Sequence, residues 1–167
     1  MSQRRVKLDR IDLKILRDLQ DSGRMTNVEL ARRAGISAPP CLRRVRALEE
    51  AGYIKGYHAD LDALPLGFEV MFFALVGLDS QSEAVLTEFE EHVGEWEEVR
   101  ECHMARGPHD FLLKLVARNT VHENELTKAL TSAPHVSTVL TLQVIRTAKA
   151  TPGVPVEIDR PLEEEEG

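Results

Sequence analysis

The sequence has little cysteine and no paired cysteine. Cys41 and Cys102 are its only two among 167 residues, they stand far apart, and neither belongs to a C-x-x-C pair. That leaves no disulfide framework and points to a reducing, cytoplasmic setting. Long apolar runs are missing as well. None reaches the length of about 20 residues that a membrane helix needs. The N-terminal MSQRRVKLDR has no apolar stretch behind its charges, so the chain is read as lacking a secretory signal and as making no membrane contact. No group of nucleophile, base and orienting residue stands out. No catalytic residue, cofactor or metal ligand is therefore assigned, and the chain is not expected to be an enzyme.

What is present is a split in charge. The net charge is −7, but residues 1–60 hold 13 Lys+Arg against 8 Asp+Glu, and residues 61–167 hold 8 against 20. The first part is basic by 5 and the second acidic by 12. Such asymmetry suggests a nucleic-acid-binding part joined to something else.

The basic part reads as three short helices. In LDRIDLKILRDLQDSGR, Leu8, Ile11, Ile15 and Leu19 mark one helical face, with Asp9 as cap and Gly23 as stop. In TNVELARRAG, Thr26 and Glu29 have the spacing of a reciprocal capping box. Val28, Leu30, Ala31 and Ala34 supply apolar surface there, and Gly35 ends the helix. In ISAPPCLRRVRALEEAG, Leu42, Val45 and Leu48 are expected to face inward, with Cys41 as a small buried hydrophobe and Gly52 past the end. Three short helices with a tight glycine turn between the last two suggest a helix-turn-helix.

Two prolines open the third helix. If Ser37 is its N-cap, Ala38, Pro39 and Pro40 are the first three helical positions, whose N–H groups have no intrahelical partner anyway. Ser37 would then have no N–H to cap, because an N-cap serine normally bonds the second or third residue. Its hydroxyl would be free for a phosphate or base edge. Alternatively the helix starts near Pro40, since a residue before proline avoids the α region. Either way the tip is stiff and apolar, and in a DNA reader it enters the major groove. The candidate DNA-contacting residues are Thr26, Asn27, Ser37, Ala38, Pro39, Pro40, Arg43, Arg44 and Arg46. Arg43 is the favoured base contact, and Arg44 has the alternative of bracing the fold through an acidic partner. Arg32 and Arg33 add to the basic face.

These residues resemble a known family. LDRIDLKIL, LARRAGIS, CLRRVRALEEAGYIKGY and a closing LG are similar, over about sixty residues, to the N-terminal part of the Lrp/AsnC (feast/famine) transcription regulators. The resemblance implies a winged-type helix-turn-helix joined through a short strand, Ile54 to Asp62, to an effector-sensing domain.

The acidic part supplies a second pattern. FEVMFFALVGLD is apolar on both alternating faces, as in a strand buried on both sides. SEAVLTEFEEHVGEW and TVHENELTKALTSAP have helical spacing. VRECHMARG and PHDFLLKLVARN read as a hairpin turning at Gly107-Pro108, and VSTVLTLQVIRT as a last strand. The order β-α-β-β-α-β suggests a ferredoxin-like fold, so the whole chain is expected to be α+β. Its helices cover one sheet face only. A second copy of the chain is the economical cover for the other, giving a homodimer suited to a palindromic site in double-stranded DNA. A tetramer or octamer is the expected further assembly.

From Phe68 to Lys149 this part resembles the family's ligand-sensing domain. Gly107, Asp110 and Phe111 stand where the family has its glycine, aspartate and aromatic, and Thr141 is in register with a threonine of the last strand. The resemblance implies a small-molecule site between subunits, commonly for an amino acid. Asp110 would take the ammonium group, and backbone around Gly107 the carboxylate, with a hydroxyl from Thr138 or Thr141. Arg106 departs from the family's small hydroxylated residue. It either pairs with Asp110 and fills the site or binds a ligand carboxylate directly.

The expected organisation is a DNA-binding domain at 1–60, a hinge at 61–67, an effector and oligomerisation domain at 68–150, and an acidic, proline-rich, disordered tail at 151–167. Three other readings remain: an effector-independent or architectural regulator, a metal-responsive regulator using Cys102, His103, His109 and His92, and a ferredoxin-like barrel enzyme. Adjacent strand residues such as Cys102 and His103 face opposite sides, which counts against a shared metal.

Overall fold

In the computed structural model, residues 7–158 are described, and they divide into two units. The first comprises the N-terminal residues through Asp60 together with the segment beginning at Ala150; the second runs from Leu61 to Lys149.

The first unit is built on α1 (Arg10–Asp21), α2 (Asn27–Ala34) and α3 (Ala38–Glu50). Asp9 caps α1 by accepting from the Ile11 and Asp12 N–H groups, and Asp12 returns a bond to the Asp9 N–H. Thr26 caps α2 by accepting from the Glu29 N–H at 3.3 Å. The reciprocal box expected there does not form, because the Glu29 carboxylate turns instead to Arg32 and Arg33. Gly35, at φ +77°, closes α2. Ser37 is the N-cap of α3 and makes no side-chain capping bond, with both prolines inside the first turn.

Ile15, Leu19, Leu30, Ala31, Ala34, Cys41 and Leu48 form the core of this unit. One inward assignment is corrected, and one apolar residue of α2 stays outside the core. Leu42 lies outside, 40% exposed, because Cys41 and Leu48 set the buried stripe of α3 and Leu42 is turned away from it. Val28, in the first turn of α2, is 72% exposed. The short strand expected over residues 54–62 is not formed; that stretch pairs with no strand among the described residues, and a strand needs a partner for its N–H and C=O groups.

Residues 151–158 form no helix or strand, and Val154 is hydrogen-bonded to Gln20. Gln20 Nε2 donates to the Val154 carbonyl at 2.7 Å, and the Val154 N–H donates to Gln20 Oε1 at 3.1 Å. Residues 159–167, which carry the glutamate run, lie outside the described residues.

The second unit contains β1 (Val70–Leu78), α4 (Glu83–Gly94), β2 (Val99–Met104), β3 (Phe111–Ala117), α5 (Thr120–Thr131) and β4 (Val136–Gln143). The sheet is antiparallel in the order β2-β3-β1-β4, the expected ferredoxin-like arrangement. Strand alternation sorts its faces. Phe72, Ala74, Val76, Phe111, Leu113 and Leu115 pack with Phe89 and Val93 of α4 and Leu126 and Leu130 of α5. The opposite face carries Met71, Phe73, Leu75, Leu112 and Val116, each half-buried, beside Leu140 and Leu142, which are about half exposed.

Candidate functional site

The arginines of the first unit fall into two groups. Arg44 Nη1 stands 2.7 Å from both Asp12 Oδ1 and Asp9 Oδ2, so it braces α3 against the start of α1. The hydrogen bond to Asp12, then that to Asp9, holds the guanidinium pKa above its ordinary value. Glu29 engages Arg32 at 2.6 Å and Arg33 at 2.9 Å. Those two bonds, Arg32's first, hold the Glu29 carboxyl down at about 2. Arg43 and Arg46 are exposed and have no ion pair among the described residues. They line one outer face of α3 together with Pro39, Leu42, Ala47 and Glu50.

This sorting bears on the sequence-based candidates. Arg44 takes its bracing alternative. Asn27 Nδ2 donates to the Ala38 carbonyl at 2.9 Å and so ties α2 to the tip of α3, while the Thr26 hydroxyl is engaged in its cap. Ser37 and Pro39 are exposed at the tip, and Ala38 and Pro40 are half-buried there. Burial pushes the Cys41 thiol pKa up, consistent with a core role.

In the second unit the candidate ligand residues gather around the end of β1. The Asp110 N–H donates to the Val76 carbonyl at 2.9 Å, and Asp110 Oδ2 accepts from the Leu78 N–H at 2.7 Å. Its other oxygen accepts from Gln81 Nε2 at 3.2 Å. Arg106 does not pair with Asp110; it is exposed, as is Gly107, where an added Cβ would meet open space. On the other side of β1, Thr138 is paired with Gly77, and the Ser137 hydroxyl donates to the Gly77 carbonyl at 2.9 Å. A Cβ on Gly77 would come within 2.5 Å of Thr138 Oγ1, so this glycine makes room for that hydroxyl.

Thr138 and Thr141 are not brought together. Thr138 lies opposite Gly77, whereas Thr141 lies opposite Ala74, which faces the helices. Three positions in a strand reverse the face, so Thr141 leaves the set. Sequence reasoning missed Gly77, Gln81 and Ser137, for which no local motif gave a signal. His109 entered the sequence reading only as a candidate metal ligand; its Nδ1 is buried without a hydrogen-bond partner among the described residues, in the same turn as Gly107. Cys102 is in register with the helix-facing Leu113 and His103 with the outward Leu112, so the two do face opposite sides.

Comparisons with known proteins agree with this division. Residues 8–55 match the family model described as winged helix-turn-helix DNA-binding, and residues 71–154 match that of the Lrp/AsnC ligand binding domain. A leucine-responsive regulatory protein of Rhizobium meliloti is 53% identical over 146 residues, covering 87% of this chain and 94% of that protein. The transcriptional regulator AzlB of Bacillus subtilis is 35% identical over 153 residues, covering 91% and 98%. A transcriptional regulator of Neisseria meningitidis, solved as a complex with L-methionine, superposes with a TM-score of 0.84 at 32% identity, covering 89% and 97% of the two chains. A winged reader, a ferredoxin-like sensor and relatives matched along most of their length lead to one assignment: the chain belongs to the Lrp/AsnC family of transcriptional regulators.

Proposed function

We propose that this regulator reads duplex DNA with the outer face of α3 and answers to an amino acid held near Gly77 and Asp110. The observation that carries the DNA reading is the contrast among the arginines. Arg32, Arg33 and Arg44 are neutralised by acidic neighbours, while Arg43 and Arg46 have no ion pair among the described residues and share one exposed face behind the Ser37–Pro40 tip. A guanidinium in that position forks onto guanine O6 and N7 or onto phosphate.

The working species is a homodimer or a higher assembly, a tetramer or octamer, in which a second copy covers the open sheet face. Phe73, Leu75, Leu112, Leu140 and Leu142 make that face apolar, and within it Lys114, Glu101 and His103 form a polar chain at 2.8 and 3.1 Å. A two-fold dimer presents two readers to a palindromic site.

The effector reading draws on the Asp110 carboxylate, the Thr138 hydroxyl, the open backbone at Gly107 and the buried His109 Nδ1, and on the L-methionine bound by the Neisseria relative. The exposed Arg106 is the candidate partner for the ligand carboxylate. Both Asp110 oxygens already have donors, which favours a second reading, an effector-independent regulator. Titrating a labelled duplex selected by this protein, with each of the twenty amino acids present or absent, separates the two. The effector reading requires at least one amino acid to change the DNA affinity.

A further inference from the structure

The segment that follows β4 ends on the DNA-reading unit. The Gln20 side chain, on α1, brackets both polar groups of the Val154 backbone, the carbonyl at 2.7 Å and the N–H at 3.1 Å. One side-chain amide thus does what a neighbouring strand would do. Gly153 sits at φ +73°, and a Cβ there would run into the Gln20 side chain. Val156 and Ile158 are half-buried, and Val156 shares a groove with Leu8, Leu16, Tyr53 and Tyr57. Pro152 and Pro155 flank the Gly153–Val154 pair, and their fixed φ angles narrow the conformations open to this stretch.

We infer that residues 150–158 are a releasable latch, seated on α1 of the same chain through Gln20, that ties the end of β4 to the DNA reader. The inference rests on the effector reading above. A ligand beside Thr138 acts on β4. The strand's last anchored point is the Val144 N–H, 2.9 Å from the Met71 carbonyl, and the chain beyond it leads into the latch. The reader is therefore held at both ends of the sensing unit, through residues 61–67 and through the latch. Most residues of the segment are exposed, and its contacts with α1 include the two hydrogen bonds to Gln20, as suits an element that opens during regulation. Releasing it would free one of the two connections through which sensing reaches the reader.

The test uses the full chain and the variants Gln20→Ala and Gly153→Ala. Amide exchange at Val154 is measured by NMR, and DNA binding is measured with and without the amino acid found active on the wild type. The expected result is Val154 exchange slowed about tenfold in the wild type and restored in both variants. The ligand-induced change in DNA affinity should shrink toward none, while ligand-free DNA binding and ligand binding each change less than about twofold. Unprotected Val154 in the wild type overturns the latch. Protection lost with the ligand response intact overturns the coupling. A wild type indifferent to every amino acid refutes the effector reading and the coupling with it, and the latch itself then stands or falls on Val154 protection and its loss in Gln20→Ala.

Discussion

Arg44 Nη1 meets the Asp12 carboxylate at 2.7 Å, while Arg43, one residue earlier on the same helix, has no acidic partner among the described residues. Two adjacent arginines therefore do different work. Arg44→Ala removes a partly buried, charge-assisted brace between α3 and α1 and should lower stability by about 1–3 kcal/mol in chemical denaturation. Arg43→Ala should change it by less than about 0.5 kcal/mol, as exposed substitutions do. A reversed order of the two would mean that the division of roles is wrong.

Glu29 engages the guanidinium groups of two arginines, Arg32 and Arg33. Glu29→Gln should release Arg32 and Arg33, raise non-specific duplex affinity and steepen its salt dependence by up to about 0.9 in log–log slope for each phosphate newly met. Anisotropy titrations at several salt concentrations read both effects. An unchanged slope would place those arginines off the DNA path.

The same carboxylate has a pH signature. Its folded pKa of about 2 lies below the ordinary 4.5. A depressed acidic pKa contributes stability that is fully present above 4.5 and is lost as the pH falls from there toward about 2. Thermal melts of Glu29→Gln should therefore show a shallower acid decline than the wild type across that window. Parallel declines would show that the ion pairs add nothing to folding.

The open sheet face predicts assembly. Phe73→Glu places a charge at its centre, opposite Lys114 on one side and Leu142 on the other. Light scattering at micromolar concentration should show a smaller particle than the wild type. An unchanged mass would contradict the use of this face as the dimer interface.

Much of this was legible in the sequence because local chemistry spoke plainly. Asp9, Thr26 and Gly35 punctuate the helices, and Ser37 before Ala-Pro-Pro gave a helix start without a side-chain cap, as found. Alternating apolar residues gave the strands and their order. What escaped depends on facing or on distant partners. Cys41 and Leu42 are neighbours, and a helix periodicity read from adjacent apolar residues does not say which one sits under the helix. Thr138 and Thr141 look alike in sequence, yet strand parity puts them on opposite faces. The Gln20–Val154 bracket joins residues 134 positions apart, and no local pattern announces such a pair. The acidic, proline-rich composition after Lys149 pointed to solvent instead.

At the proposed ligand site, Asp110→Asn should weaken amino-acid binding about tenfold or more by removing the anion. Thr141→Ala should leave it unchanged, because Thr141 faces the helices. Calorimetry on both variants checks this, and equal losses would move the site to the other sheet face.

The central claim is that α3 reads DNA through Arg43 and Arg46. Its most direct measurement is the equilibrium binding of the wild type, Arg43→Ala and Arg46→Ala to one selected duplex and to a scrambled one, across a range of salt concentrations. If Arg43 reads a base, Arg43→Ala should lose about 1–3 kcal/mol on the selected duplex and little on the scrambled one. If it grips phosphate, both duplexes should weaken alike and the salt slope should fall by about one contact. Binding by both variants that matches the wild type on both duplexes at every salt concentration would contradict the account.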